Sequence, residues 1–189
     1  MREAIEITLI NRMIRAAKLD VSLYEEVEID PAATNQALSV VVIASICTGI
    51  GSGVGSLLAG LGAVEFTMGL VGGVASALIG WLIWSFITYF IGTRLFRGPE
   101  TEATYGELLR CIGFSDSPGV LGIMGFIPLL GGLISSVAWI WSLIAMVIAV
   151  RQALDFSTGR AILTCIVGWA VMVVIAIVVG LVIAAPLYI

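Results

Sequence analysis

The sequence contains no histidine, so the commonest general base and metal ligand is missing. Charge is scarce as well. Only 12% of the 189 residues are Asp, Glu, Lys or Arg, against roughly 25% in a soluble domain. So few charges cannot cover a water-facing surface, and with 60% of residues hydrophobic much of the chain needs lipid as its solvent. The three cysteines, Cys47, Cys111 and Cys165, stand far apart and form neither metal-ligand nor redox spacing. Reduced, inert thiols are expected. The first 30 residues have no apolar core region, so no cleavable signal peptide is expected, and no lipidation motif is present. The net charge of −4 is small and its acids gather in polar segments, which gives no case for nucleic acid.

Catalytic chemistry is equally thin. No expected span holds an ionisable residue well inside it, and such residues mark proton relays and ion paths. A pump, a proton-coupled transporter or an intramembrane hydrolase is therefore disfavoured. Hydroxyls do occur in the spans (Ser45, Thr48, Ser52, Ser76, Ser85, Ser135, Ser136, Ser142, Thr164), but no His or Lys stands near to activate one. The glycines of the first span lack the lysine of a phosphate loop. No enzyme, cofactor or metal is expected. A passive channel stays open, because backbone carbonyls can line a pore.

What is present reads as an all-α membrane bundle. Residues 2–19 form an amphipathic helix, with Ile5, Leu9, Met13 and Ala16 on one side and Thr8, Asn11, Arg12, Arg15 and Lys18 on the other. It either lies on a membrane surface or packs on the protein's own cytoplasmic face. Asp30-Pro31 caps and opens the helix that enters the membrane. The division is therefore 1–35, a cytoplasmic or interfacial segment, and 36–189, the membrane domain.

The first span covers residues 37–58 and carries Gly49, Gly51, Gly53 and Gly55; the second, 67–93, carries Gly69, Gly73 and Gly80. Such small residues let helices approach closely in lipid, within the bundle or in a homo-oligomer. At about 1.5 Å per residue the second span exceeds a roughly 30 Å core and should tilt or project. Thr104 and Glu107 have capping-box spacing and open a short helix. The uncharged run from Ser117 to Val150 is too long for one crossing, and Pro128 with Gly131-Gly132 breaks it. A short third span, 117–131, and a fourth, 133–150, result. A polar link, 151–160, leads to a fifth span, 161–185, where Ser157 or Thr158 caps the helix.

Charge decides whether the short third segment crosses. If it does, all nine basic residues fall on one side, which the positive-inside rule makes cytoplasmic. Five spans follow, with the N-terminus in the cytoplasm, the C-terminus outside, and Glu65 as the one outside charge. The acids Asp20, Glu25, Glu26, Glu28 and Asp30 are a solvated face, or pair with Arg94, Arg97 or Arg110 to dock the N-terminal segment, or form a partner or divalent-cation site without EF-hand spacing.

Three stretches carry a resemblance: Leu23-Tyr24-Glu25-Glu26-Val27-Glu28 with Asp30-Pro31; Tyr105-Gly106-Glu107-Leu108-Leu109-Arg110 leading to Gly113-Phe114 and Ser117-Pro118-Gly119; and Trp141-Ser142-Leu143 followed by Arg151 through Ala161. In this order the chain resembles the prokaryotic branch of the Yip family, the Ypt/Rab-interacting membrane proteins. The resemblance implies five spans, a cytoplasmic N-terminus and a prokaryotic plasma membrane. Eukaryotic relatives bind Rab-type GTPases and take part in vesicle traffic. Here the Asp-Leu-Tyr-Gly-Pro pattern is represented only by Leu23-Tyr24, with Glu25 in place of Gly, so Rab binding is not carried over. The expected function is a non-enzymatic scaffold that organises membrane or recruits a cytoplasmic protein. Its surface comprises Glu25, Glu26, Glu28 and Asp30 with Arg110, Arg151, Asp155 and Arg160. The alternative is a channel or carrier for a small or apolar solute, because interrupted spans often line substrate sites.

Overall fold

The computed structural model describes residues 2–184 except 59, 61, 99 and 100, with side chains from residue 8 to residue 181. Ile5, expected on the apolar side of the first helix, lies outside the described side chains. All regular structure among the described residues is helical. Helices α1 (Arg2–Ala17) and α2 (Val21–Ile29) form a hairpin, and α3 (Ala33–Leu58) and α4 (Ala63–Phe90) follow. A π-helical turn, Ile91–Leu95, continues α4. Then come α5 (Tyr105–Ser115), a 3₁₀ helix (Ser117–Phe126), α6 (Gly131–Ala153) and α7 (Thr158–Ala184). Four helices are long and apolar enough to cross a membrane: Ala33–Leu58, Ala63–Leu95, Gly131–Ala153 and the stretch of α7 through Leu181.

Local chemistry sets the boundaries. The Asp30 carboxylate accepts from the Ala32 amide at 3.0 Å, closing the turn that starts α3. At α5 the capping box forms in both directions: the Thr104 hydroxyl accepts from the Glu107 amide at 3.4 Å, and the Glu107 carboxylate accepts from the Thr104 amide at 2.7 Å. The break before α6 falls at residues 127–130, as Pro128 implied, with Leu129 at a φ of 67°. Ser157 stands before α7 and its carbonyl accepts from the Ala161 amide at 3.1 Å.

The third apolar segment departs from expectation. It is a 3₁₀ helix rather than an α-helix. With the end of α5 it runs beside α3 in the same direction: Gly113 of α5 faces Ala37, and along the 3₁₀ helix Gly119 faces Ala44, Gly122 faces Thr48 and Gly51, and Phe126 faces Gly55. Thus 13 residues match 18 of α3 along the axis. The arithmetic fits a rise of about 2.0 Å per 3₁₀ residue against 1.5 Å per α residue.

Backbone meets backbone along this seam. A Cβ at Gly51 would collide with the Gly122 carbonyl oxygen, and one at Gly131 with the Gly125 carbonyl. At Gly53 it would strike the Phe66 ring, and at Gly49 it would lie 2.6 Å from a Leu70 methyl. Gly55 has ordinary room, its added Cβ lying 3.9 Å from the Phe126 Cα. Gly69, Gly73 and Gly80 meet nothing within 4 Å, and Gly69 and Gly73 line a cavity of about 840 Å³ that separates α4 from α3 and α6. These two sets give opposite expectations. Gly51→Ala should destabilise the bundle by about 1–3 kcal/mol through overpacking against immovable backbone. Gly73→Ala should be neutral, or stabilising by up to about 1 kcal/mol through helix propensity. Thermal unfolding of both variants in detergent micelles checks this.

Candidate functional site

The N-terminal hairpin is an integral part of the bundle's packing. Leu23, Tyr24 and Val27 of α2 are fully buried in one core with Ala37 and Val40 of α3, Leu108 and Phe114 of α5, and Ala149 and Val150 of α6. Leu9 and Met13 of α1 pack on the same core. Of the two placements open to the amphipathic helix, the chain adopts the one against itself. Arg12, expected on the polar side, is buried instead. Its guanidinium donates to Glu26 at 2.9 Å, Gln36 at 2.8 Å and Asp30 at 3.0 Å. Arg15 donates to Asp20 at 2.8 Å and to Glu26 at 2.6 Å. The reason is a partner set that lies 5 to 24 residues away in sequence. The carboxylates stay partly exposed, so solvent screens this network below the roughly 3–5 kcal/mol of a fully buried pair.

The acids of α2 are therefore not docked by Arg94 or Arg97. Arg110 does dock α2, but through its main chain: Nε donates to the Val27 carbonyl at 2.8 Å, and an Nη donates to the Glu28 carbonyl. These acceptors are among the carbonyls that a helix C-terminus leaves open. Arg110 is buried and its donors face inward, so it offers nothing to an outside partner.

The remaining candidate residues separate into two groups. Glu26 and Asp30 are engaged with α1. Glu25 and Asp155 are exposed, Arg160 is exposed, and Arg151 is half-buried. Arg151 Nε donates to the Gln152 side-chain oxygen Oε1 at 3.0 Å, and Gln152 Nε2 donates to a Glu25 carboxylate oxygen at 3.1 Å. That relay fixes Glu25 against the end of α6. Asp155, at a φ of 50°, sits in the α6–α7 turn. Glu28 lies in the field of Asp155, Glu107 and Glu25. Four carboxylates from α2, α5 and the α6–α7 turn thus crowd one face, while the nearby guanidinium of Arg110 is spent on carbonyls. No group of three metal-ligating side chains close enough for an ion occurs among the described residues.

The electrostatics follow from this placement. Burial, then Asp155 and Glu107, push the Glu28 carboxyl up to about 7, with Glu25 adding to the rise and Arg110 opposing it. In contrast, Arg15 and Ser22 hold Asp20 down at about 2, and Arg15 with Arg12 lowers Glu26.

Sequence reasoning missed Asp116. It lies between α5 and the 3₁₀ helix and lines a cavity of about 840 Å³, together with Ser45, Thr48 and Ser52 of α3 and Ser135 and Ser142 of α6. The expectation that no span holds an ionisable residue well inside it is untouched, since Asp116 stands one residue before the third segment, yet its side chain reaches the cavity. Asp116 precedes the apolar run by one residue, but α5 carries it in beside α3. Its only sequence signal was its place directly before Ser117-Pro118.

The two carboxyl shifts have opposite signs. Between an ordinary carboxyl pKa near 4 and about 7 the folded chain keeps a proton on Glu28 that the unfolded chain has lost. Stability from this group is fully present below that window and is lost as pH rises through 7. The Asp20 contribution is present above pH 4 and is lost only as pH falls toward 2. Melting temperature in detergent should therefore drop between pH 5.5 and pH 7.5, and Glu28→Gln should flatten that slope. An equally steep slope in the variant would reject the assignment to Glu28.

No curated protein and no solved structure matches the chain. The Yip1 domain model matches residues 24–183, from the start of the buried face of α2 almost to the end of α7. That interval takes in the hairpin contact, the α3 seam and all four long apolar helices. With most of its length within this one domain, the chain belongs to the Yip1-domain family of membrane proteins and has that family's adaptor or scaffold role.

Proposed function

We propose that the chain is a five-span adaptor whose acidic face captures a basic segment of a cytoplasmic protein. The observation that carries this reading is the crowding of Glu25, Glu28, Glu107 and Asp155 on one face with Arg110 withdrawn from it. Glu25, Glu107 and Asp155 disfavour a further charge on Glu28, and a cationic partner relieves that repulsion. Five crossings are supported by the axial reach of the 3₁₀ helix, which with the end of α5 runs about 25 Å beside α3. A cytoplasmic N-terminus is supported by charge. Arg94 and Arg97 end α4, Arg151 ends α6 and Arg160 opens α7, at the same end of the bundle as the hairpin and its Arg12 and Arg15. Glu65 lies at the opposite end, in the first turn of α4. A prokaryotic plasma membrane is the proposed location, supported by the resemblance to the prokaryotic branch.

Crosslinking in cells followed by affinity capture tests the adaptor reading. Glu25→Lys combined with Asp155→Lys should lower recovery of the cytoplasmic partner at least about tenfold, since each reversal replaces attraction by repulsion. Glu65→Lys, at the far end, should leave recovery unchanged. Equal recovery from all three proteins would remove this face from the model.

The hydroxyl-lined cavity beside Asp116 favours a second reading, a carrier for a small solute. Its polar lining offers acceptors and one carboxylate and no basic residue, so the solute would be a hydrogen-bond donor or a cation. Sealed liposomes holding the purified protein should then pass a small amine or a monovalent cation, with flux lost in Asp116→Asn. Liposomes as tight as protein-free controls would discard the carrier.

A further inference from the structure

A second groove, of about 380 Å³, runs between α4 and α7. Phe86, Phe90 and Ile91 form one wall, Val167 and Val171 the other, and Arg94 is the only charged residue that lines it. Phe86 and Phe90 are each 55% exposed, so the groove lies open on the lipid-facing side of two spanning helices. From Phe86 to Leu95 it extends about 13 Å at 1.5 Å per residue. That is close to half of a roughly 30 Å hydrocarbon core, the depth of one leaflet.

The π-helical turn has a role here. Phe86, Phe90 and Arg94 stand four residues apart. In an α-helix each step of four overshoots a full turn by about 40°, so two steps would carry Arg94 well round from Phe86. The turn Ile91–Leu95 is wider, with less rotation per residue. It offsets the second overshoot and keeps Arg94 over the aromatic stripe. Unlike Arg12 and Arg15, Arg94 makes no ion pair with a carboxylate among the described residues.

We infer that this groove is a binding site for one anionic phospholipid of the leaflet at the basic end of the bundle, with an acyl chain along Phe86 and Phe90 and the phosphate on the Arg94 guanidinium. Length, apolar lining and a single unpaired cation at the headgroup end together specify that class of ligand. A zwitterionic lipid brings its own ammonium group to the same level and gains less from Arg94.

Native mass spectrometry of the full chain, released from micelles with equal phosphatidylglycerol and phosphatidylcholine, tests the site. The wild type should retain phosphatidylglycerol about fivefold over phosphatidylcholine, the preference that one interfacial arginine supplies. Arg94→Gln should bring the two to parity. Phe90→Ala should lower retention of both and leave their ratio alone. An unchanged preference in Arg94→Gln would overturn the proposal. So would an equal loss of preference in Arg97→Gln, because that is a diffuse basic surface and not a built site.

Discussion

The contact on which the rest of the structure depends is the approach of α3 to the 3₁₀ helix at Gly51 and Gly122. In lipid the hydrophobic effect gives helices no reason to associate, so close packing and interhelical hydrogen bonds must do so. Here the Gly51 Cα faces a carbonyl oxygen directly, and the Thr48 hydroxyl donates to the Gly119 carbonyl at 3.3 Å. A 3₁₀ helix has poorer internal hydrogen bonds than an α-helix and seldom runs long. This one has ten residues and lies between α3 and α6, which cover it on both sides. The rest follows from this seam: α5 is brought against Ala37, α6 turns back at Gly131, and the cavity beside Asp116 is the space left where α4 stands away.

Much of this architecture was legible in the residues. Asp30-Pro31, Thr104 with Glu107, and Pro128 are local signals, each acting within four residues of itself; the last two fall on the observed boundaries, and α3 begins at Ala33, two residues after Pro31. The glycines were legible as a class but not as individuals. Those of α3 and those of α4 read alike, yet only the first set has a neighbour within 4 Å of an added Cβ. Which face a glycine presents depends on a partner that hydropathy does not name. The same limit hid the burial of Arg12, whose partners Glu26, Asp30 and Gln36 come from two other elements. The rise of the third segment was hidden too, since composition does not separate a 3₁₀ helix from a short α-helix.

The arginines have two fates, although they gather at one end. Arg12, Arg15 and Arg110 are consumed inside the chain, the first two by carboxylates and the third by carbonyls. This division explains how an arm of α1 and α2, with many charges, can pack against a membrane domain. The charges that touch the bundle are neutralised or turned to the backbone before they are desolvated, which removes most of the penalty of burying them. Leu23, Tyr24 and Val27 then add apolar area to the same contact.

The second fate concerns Arg94, Arg97 and Arg160, which no carboxylate among the described residues neutralises. They rim α4 and α7, whereas the uncompensated acids Glu25, Glu28, Glu107 and Asp155 lie around α2, α5 and the α6–α7 turn. Pairing the two sets would have made this end of the bundle electrically silent. Kept apart, they form a dipole across that end. An anionic membrane surface attracts the basic rim and repels the acidic face, with forces that fade over a Debye length of about 8–10 Å. In the proposed orientation the rim would be held at the headgroups and the acids turned toward water, where a protein could reach them. Lipid charge and protein recognition are linked by this separation: the same surface potential that seats the arginines presents the carboxylates.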